Sequence, residues 1–105
     1  MRRGTTPTIT IKVRGETFDD STIFVTFRQG NILITKTGDN VVKSVTTEGC
    51  MLYIYLSQEE TLSLRNGVMQ LQIRWINSSD IAQASPIKTI QVDPILLEGV
   101  IEYDA

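Results

Sequence analysis

The sequence contains no histidine and only one cysteine, Cys50. Histidine is the commonest general base and the commonest metal ligand in proteins, so its absence excludes the mechanisms that depend on an imidazole. A single thiol forms no internal disulfide, and it needs other soft ligands to hold zinc. We interpret Cys50 as a small buried residue at the start of an apolar strand, since free cysteine is among the most buried residue types.

Positive charge is scarce and scattered. The 105 residues include ten Lys and Arg against twelve Asp and Glu, which gives a formal net charge of −2. Proteins that bind nucleic acid usually concentrate Lys and Arg on one face, because the release of counterions from phosphates drives their affinity. Here only Arg2 and Arg3 are adjacent. We therefore predict no nucleic-acid partner.

Long apolar runs are also missing. No stretch approaches the roughly 20 apolar residues that a transmembrane helix requires. The opening residues 1–7 are polar and are not followed by the apolar core of a signal peptide. We expect a protein that is made in the cytoplasm and has no membrane partner.

The residues that could carry out catalysis are few. The seven glycines are isolated, so there is no phosphate-binding loop with Gly and Lys-Ser/Thr at fixed spacing. Asp19-Asp20 and Glu59-Glu60 are adjacent acidic pairs, but neighbouring side chains point in different directions in strands and helices. We interpret the first pair as a solvated loop and the second as the start of a helical turn. The sequence thus predicts no catalytic residue, no metal site, no cofactor and no enzyme.

The sequence is rich in period-two alternation, which is typical of half-buried strands. The clearest case is Val68 to Ile76, where Met69, Leu71 and Ile73 share one face with Trp75, which we place in the core. Turn residues recur about every ten positions, as in β-sandwiches and barrels. The predicted strands are residues 8–13, 22–29, 32–37, 41–46, 51–56, 68–76 and 81–92.

Two segments qualify this pattern. Ser57 followed by Glu60 matches a capping box and predicts one short helical turn. Pro86 breaks the last strand, which we expect at a sheet edge or at a switch between sheets. The prediction is an all-β, single-domain antiparallel β-sandwich over residues 1–105. It has about seven strands and an immunoglobulin-like architecture, although the Cys–Trp–Cys spacing of true immunoglobulin domains is missing.

The two ends and one strand face are the candidate interaction surfaces. Residues 1–7 form a polar, extended arm, or else a frayed terminus. Residues 94–105 form an apolar tail, which we expect to dock on its own domain, on a second copy or on a neighbour in an assembly. Tyr53 and Tyr55 share one strand face, which is either packed or open as an interface or a carbohydrate-binding patch. The predicted interface residues are Arg2, Arg3, Thr5, Pro7, Tyr53, Tyr55, Pro86, Ile95, Leu96, Leu97, Val100 and Ile101.

Several segments, in this order, resemble small tail-module proteins of phages and prophages of Gram-positive bacteria. The resemblance begins with Arg-Arg-Gly-Thr-Thr-Pro-Thr at residues 2–8 and continues through residues 23–27 and 56–62. It extends to Gln-Leu-Gln-Ile-Arg at 70–74 and the apolar close at 95–101. The chain is also similar to the N-terminal domain of baseplate upper proteins, a β-sandwich that attaches receptor-binding parts to the tail.

The resemblance implies a structural or assembly role in the virion tail and no catalytic activity. The implied partners are other tail or baseplate proteins. Baseplate upper proteins continue into further domains, so we expect an adaptor or small tail component here. A homo-oligomer, most simply a dimer, is expected from the apolar tail and from the general preference for two-fold pairs. The alternative interpretation is a carbohydrate-binding β-sandwich module that uses Tyr53 and Tyr55.

Overall fold

A computed structural model describes residues 1–104 and confirms the predicted fold class. Eight strands form two antiparallel sheets that face each other like the layers of a sandwich. One sheet has three strands in the order β1-β5-β4, and the other has five, in the order β3-β2-β6 with both β7 and β8 paired to β6. The strands are β1 (Thr8–Arg14), β2 (Ser21–Gln29), β3 (Ile32–Thr37), β4 (Val41–Thr46), β5 (Gly49–Tyr55), β6 (Gly67–Asn77), β7 (Ala82–Ala84) and β8 (Lys88–Val92).

The core lies between the sheets and follows the alternation of the sequence. Val25 and Phe27 of β2 are fully buried, as are Leu52 and Ile54 of β5. Their neighbours along each strand point to the outer faces, because successive side chains of a strand alternate sides. Cys50 is buried, in agreement with its interpretation as a small core residue.

The segment between β1 and β2 contains a core residue that the sequence did not predict. The predicted strands leave residues 14–21 as a connection in which Asp19-Asp20 was interpreted as a solvated loop, but Phe18 in this segment is fully buried. Its ring meets Trp75 edge-on, with centroids 5.2 Å apart. Trp75 itself is half-buried and packs against the margin of the core, on the inward face of β6 that the alternation predicted. Because the residues on both sides of Phe18 are polar, the sequence pattern does not indicate that this side chain is buried at one end of the sandwich.

The predicted final strand is two strands, which accounts for eight rather than seven. Both β7 and β8 pair with β6, so the chain runs along a sheet edge on both sides of Pro86 and does not change sheets. Between them the Ser85 N–H donates to the carbonyl of Ile73 at 2.8 Å. The hydroxyl of Ser85 accepts from the Ile73 N–H at 3.0 Å. A side-chain oxygen thus continues the hydrogen bonding where the proline interrupts the strand.

The short helix α1 (Gln58–Leu62) has the predicted capping box. The Glu60 N–H donates to Ser57 Oγ at 3.1 Å, and the Ser57 N–H donates to Glu60 Oε1 at 2.9 Å. Lys36 of β3 adds an ion pair to Glu60, with 2.7 Å between Nζ and Oε2. The capping box therefore also ties the helix to the edge of the five-stranded sheet.

The Glu60 carboxyl titrates below its ordinary range. Partial burial raises its pKa, but the hydrogen bonds from Lys36 and Ser57, together with the positive charge of Lys36, outweigh that effect. The net result is a pKa below the usual 4.5. A carboxyl whose pKa is lower in the folded chain than in the unfolded chain stabilises the fold at any pH above its unfolded pKa, and this contribution is lost as the pH falls through the folded pKa.

We expect the free energy of unfolding to depend less on pH under acidic conditions in Glu60→Gln than in the parent. Glutamine keeps the capping-box geometry but carries no charge. The free energy of unfolding, measured by urea denaturation between neutral pH and acid, should fall less in this variant than in the parent below a pH of about 4.5. Glu59→Gln, at the exposed carboxyl of the same turn, is the control. Equal acid dependence in the parent and Glu60→Gln would contradict the assignment.

Candidate interaction surfaces

The N-terminal arm is neither free nor frayed, since it lies against the residues that follow β8. Arg2 forms a parallel bridge with Asp93. The Arg3 N–H donates to the Asp93 carbonyl at 3.0 Å, and the Asp93 N–H donates to the carbonyl of Met1 at 2.6 Å. Residues 1–3 therefore continue the backbone hydrogen bonding of the domain beyond the end of β8.

Arg3 is the most heavily bonded side chain of the arm. Its Nε donates to the carbonyl of Leu64 at 2.6 Å, and its Nη2 donates to the carbonyl of Leu62 at 2.8 Å. Its Nη1 lies 2.6 Å from a carboxylate oxygen of Glu98. The last carbonyls of a helix lack partners within the helix. Leu62 ends α1 and Leu64 lies two residues beyond it, and the planar guanidinium binds both carbonyls together with a carboxylate.

The C-terminal tail is held to the domain at four points. Arg2 Nη1 donates to the Pro94 carbonyl at 2.9 Å, and Glu98 is bound by Arg3. Gln58 bonds both backbone groups of Ile101: its Nε2 donates to the carbonyl at 3.0 Å, and the Ile101 N–H donates to its Oε1 at 2.9 Å. The fourth point, the side chain of Ile95, packs against the arm.

Gly4 permits that packing. Its φ is +70°, in the left-handed region that favours glycine. A Cβ at this position would lie 2.9 Å from the Ile95 side chain, closer than two carbon atoms can approach. Glycine at position 4 therefore fits both the left-handed backbone and the close approach of Ile95, and a larger residue would strain the backbone and displace the Ile95 side chain.

The remaining apolar side chains of the tail point into solvent. Leu96 is fully exposed and Leu97 is 72% exposed. The residues beyond them add apolar surface, and Glu102 and Asp104 add negative charge. Exposed apolar side chains of the tail are Leu96, Leu97, Val100, Ile101 and Tyr103. The tail thus has hydrogen-bonded backbone groups and exposed apolar side chains.

The tyrosines of β5 lie on the outer face of the three-stranded sheet. Tyr53 is half-buried between Thr10 of β1 and Val42 of β4. Tyr55 is 59% exposed. The face is therefore open at Tyr55 and partly packed at Tyr53.

The outer face of the five-stranded sheet was not among the predicted surfaces. Phe24 and Leu33 are exposed there, together with Ile87 at the sheet edge. Arg28 and Arg74 share this face, because Arg28 pairs with Leu33 and Arg74 pairs with Phe24. The alternation of β2 predicts which side chains point outward, but only the strand pairing brings the two arginines and the apolar side chains onto one surface.

The predicted interface residues fall into separate groups. The structure brings Arg2 and Arg3 together with the tail, while Tyr53 and Tyr55 belong to the opposite sheet from Pro86. Pro7 has an internal role, since its carbonyl accepts from the Leu56 N–H at 3.2 Å. Thr5 is exposed, and its hydroxyl donates to the Arg2 carbonyl at 2.7 Å. Arg3, Pro7 and Ile95 are therefore internal ties, and the exposed tail residues are the stronger docking candidates.

Two further observations concern residues 1–104. No group of three or more Cys, Asp or Glu side chains in this range lies close enough together to hold a metal ion. No helix in the same range is long and apolar enough to cross a membrane.

Comparison with known proteins gives no relative from which to infer a function: no protein family model matches the chain, and no curated protein is significantly similar to it.

We expect Arg3→Ala to lower the free energy of unfolding by about 2 kcal/mol, because it removes charge-assisted hydrogen bonds and leaves the carbonyls of Leu62 and Leu64 without their partner. The Arg3 side chain is only 17% exposed, so water does not fully replace it. Arg2→Ala, which removes one exposed hydrogen bond, should cost less than about 1 kcal/mol. Urea denaturation of both variants measures the difference. Losses of equal size would refute the special role of Arg3.

Proposed function

We propose that this chain is a structural or assembly component of a prophage tail. In this role it lies in the virion tail, carries out no catalysis, and contacts other tail or baseplate proteins. We also assign its sandwich to the immunoglobulin-like architectures, on the number and length of its strands.

The observation that carries the proposal is the exposed tail. Its backbone is bound through Pro94 and Ile101, yet Leu96 and Leu97 between these points remain in solvent. Exposed apolar surface of this kind marks sites of association between proteins. It supports a protein that works by being built into an assembly.

The resemblance of the sequence to tail-module proteins selects the kind of assembly. The segments that carry it include residues 2–8 and 95–101, which contribute the arm and the tail. These two segments lie together in the fold through the contacts of Arg2 and Arg3. The contact between them supports a common role in attachment.

The test is mass spectrometry of tail particles purified after induction of a prophage that carries the gene. We expect the chain in amounts stoichiometric with other tail proteins. In a prophage that encodes Leu96→Ser and Leu97→Ser, incorporation should fall, since the polar ties remain and only the exposed apolar surface is lost. Well-formed particles that lack the unaltered chain would overturn the placement in the virion.

Exposure of Tyr55 favours a second candidate, a carbohydrate-binding module. Sugar rings stack on open aromatic faces, and Tyr55 offers such a face beside the half-buried Tyr53. This candidate uses the outer face of the three-stranded sheet and not the tail. The two functions are therefore separable by substitution.

If the chain binds carbohydrate, Tyr55→Ala should abolish binding in a glycan array, and Leu97→Ser should leave it unchanged. The serine variant alters an exposed apolar residue far from the tyrosines in sequence and serves as the matched control. A parent chain that binds no glycan would eliminate this candidate and leave the tail proposal untouched.

A further inference from the structure

The outer face of the five-stranded sheet carries positive charge and no carboxylate of its own strands. None of β2, β3, β6, β7 and β8 contains Asp or Glu. Arg28 and Arg74 point outward among apolar and neutral polar side chains. We call this surface the arginine face: Phe24, Thr26, Arg28, Leu33, Gln70, Gln72, Arg74 and Ile87.

The tail has the complementary chemistry. Its exposed side chains are apolar, and they are followed by the carboxylates of Glu102 and Asp104. No Lys or Arg occurs after Lys88 in the sequence. An apolar, acidic segment and an apolar, basic face on the same chain match each other in both hydrophobicity and sign of charge.

The tail does not cover the arginine face of its own chain. Leu96 is fully exposed and Leu97 is 72% exposed, so neither packs on that sheet. Anchors at Pro94, Glu98 and Ile101 hold the segment where it is. The complementary surfaces of one chain are therefore both open, and a second chain can supply the missing partner to each.

We infer that the tail of one copy docks on the arginine face of a second copy. Leu96 and Leu97 then cover apolar side chains of the face, while Glu102 and Asp104 lie opposite Arg28 and Arg74. The inference rests on the proposed function, because it names the contact by which an assembly component associates with itself. Because the tail and the arginine face are different surfaces, two copies can each dock a tail on the other, or many copies can associate head to tail.

The experiment is sedimentation velocity of the full chain over a range of concentrations. We expect concentration-dependent self-association that weakens at high salt, because the contact includes exposed charges. The face variant (Arg28→Glu with Arg74→Glu) reverses the charges of the arginine face, and the tail variant (Glu102→Lys with Asp104→Lys) reverses the charges of the tail. Each should lower the association constant about tenfold or more. Arg14→Glu, at an exposed arginine of β1 outside both surfaces, should leave it unchanged.

Mixing provides the decisive measurement. The face variant keeps a normal tail, and the tail variant keeps a normal face, so an equimolar mixture should form a one-to-one complex that neither variant forms alone. A chain that carries all four substitutions should regain self-association, since the charges are exchanged. Thermal unfolding confirms that each variant is folded.

Three outcomes would overturn the inference. The first is a parent chain that stays monomeric at every concentration. The second is a loss of association in Arg14→Glu as large as in the face variant, and the third is no recovery on mixing. Each outcome leaves the particle experiment intact, because a chain that does not bind itself can still be present in tail particles through another protein.

Discussion

The guanidinium of Arg3 joins three parts of the chain that are distant in sequence. It occupies the open end of the helical turn through the carbonyls of Leu62 and Leu64, and it holds the tail through Glu98. The hydrogen bonds to the two carbonyls are charge-assisted and partly buried, which makes them stronger than bonds between neutral exposed groups. Arg3 thus ties both ends of the chain to the helical turn, in addition to the contacts that Arg2 and Gln58 make with the tail.

The tail therefore has hydrogen-bonded polar groups, while most of its apolar side chains are exposed to solvent. Gln58 bonds the Ile101 backbone as a neighbouring strand would, and the arm covers Ile95. The exposed leucines between these points gain little from their own domain, so their burial remains as free energy for association. This chain presents apolar side chains on a segment whose backbone is held by hydrogen bonds.

The two sheets also differ in what they show to solvent. The three-stranded sheet presents Tyr55 beside a half-buried Tyr53, and the five-stranded sheet presents Arg28 and Arg74. Both surfaces arise from the same rule, since any strand that buries one face must expose the other. They suit different partners, which is why substitutions on each surface separate the candidate functions.

The sequence by itself determined the strands, the capping box at Ser57 and Glu60, and the break at Pro86, because alternation, capping and the missing N–H of proline are local effects. It also indicated the apolar tail. It did not predict the burial of Phe18, because the loop around that residue is polar. Only the tertiary structure decided that the arm is docked, that Arg3 binds Glu98, and that two arginines share an apolar face, because each of these contacts joins residues on separate strands or at opposite ends of the chain.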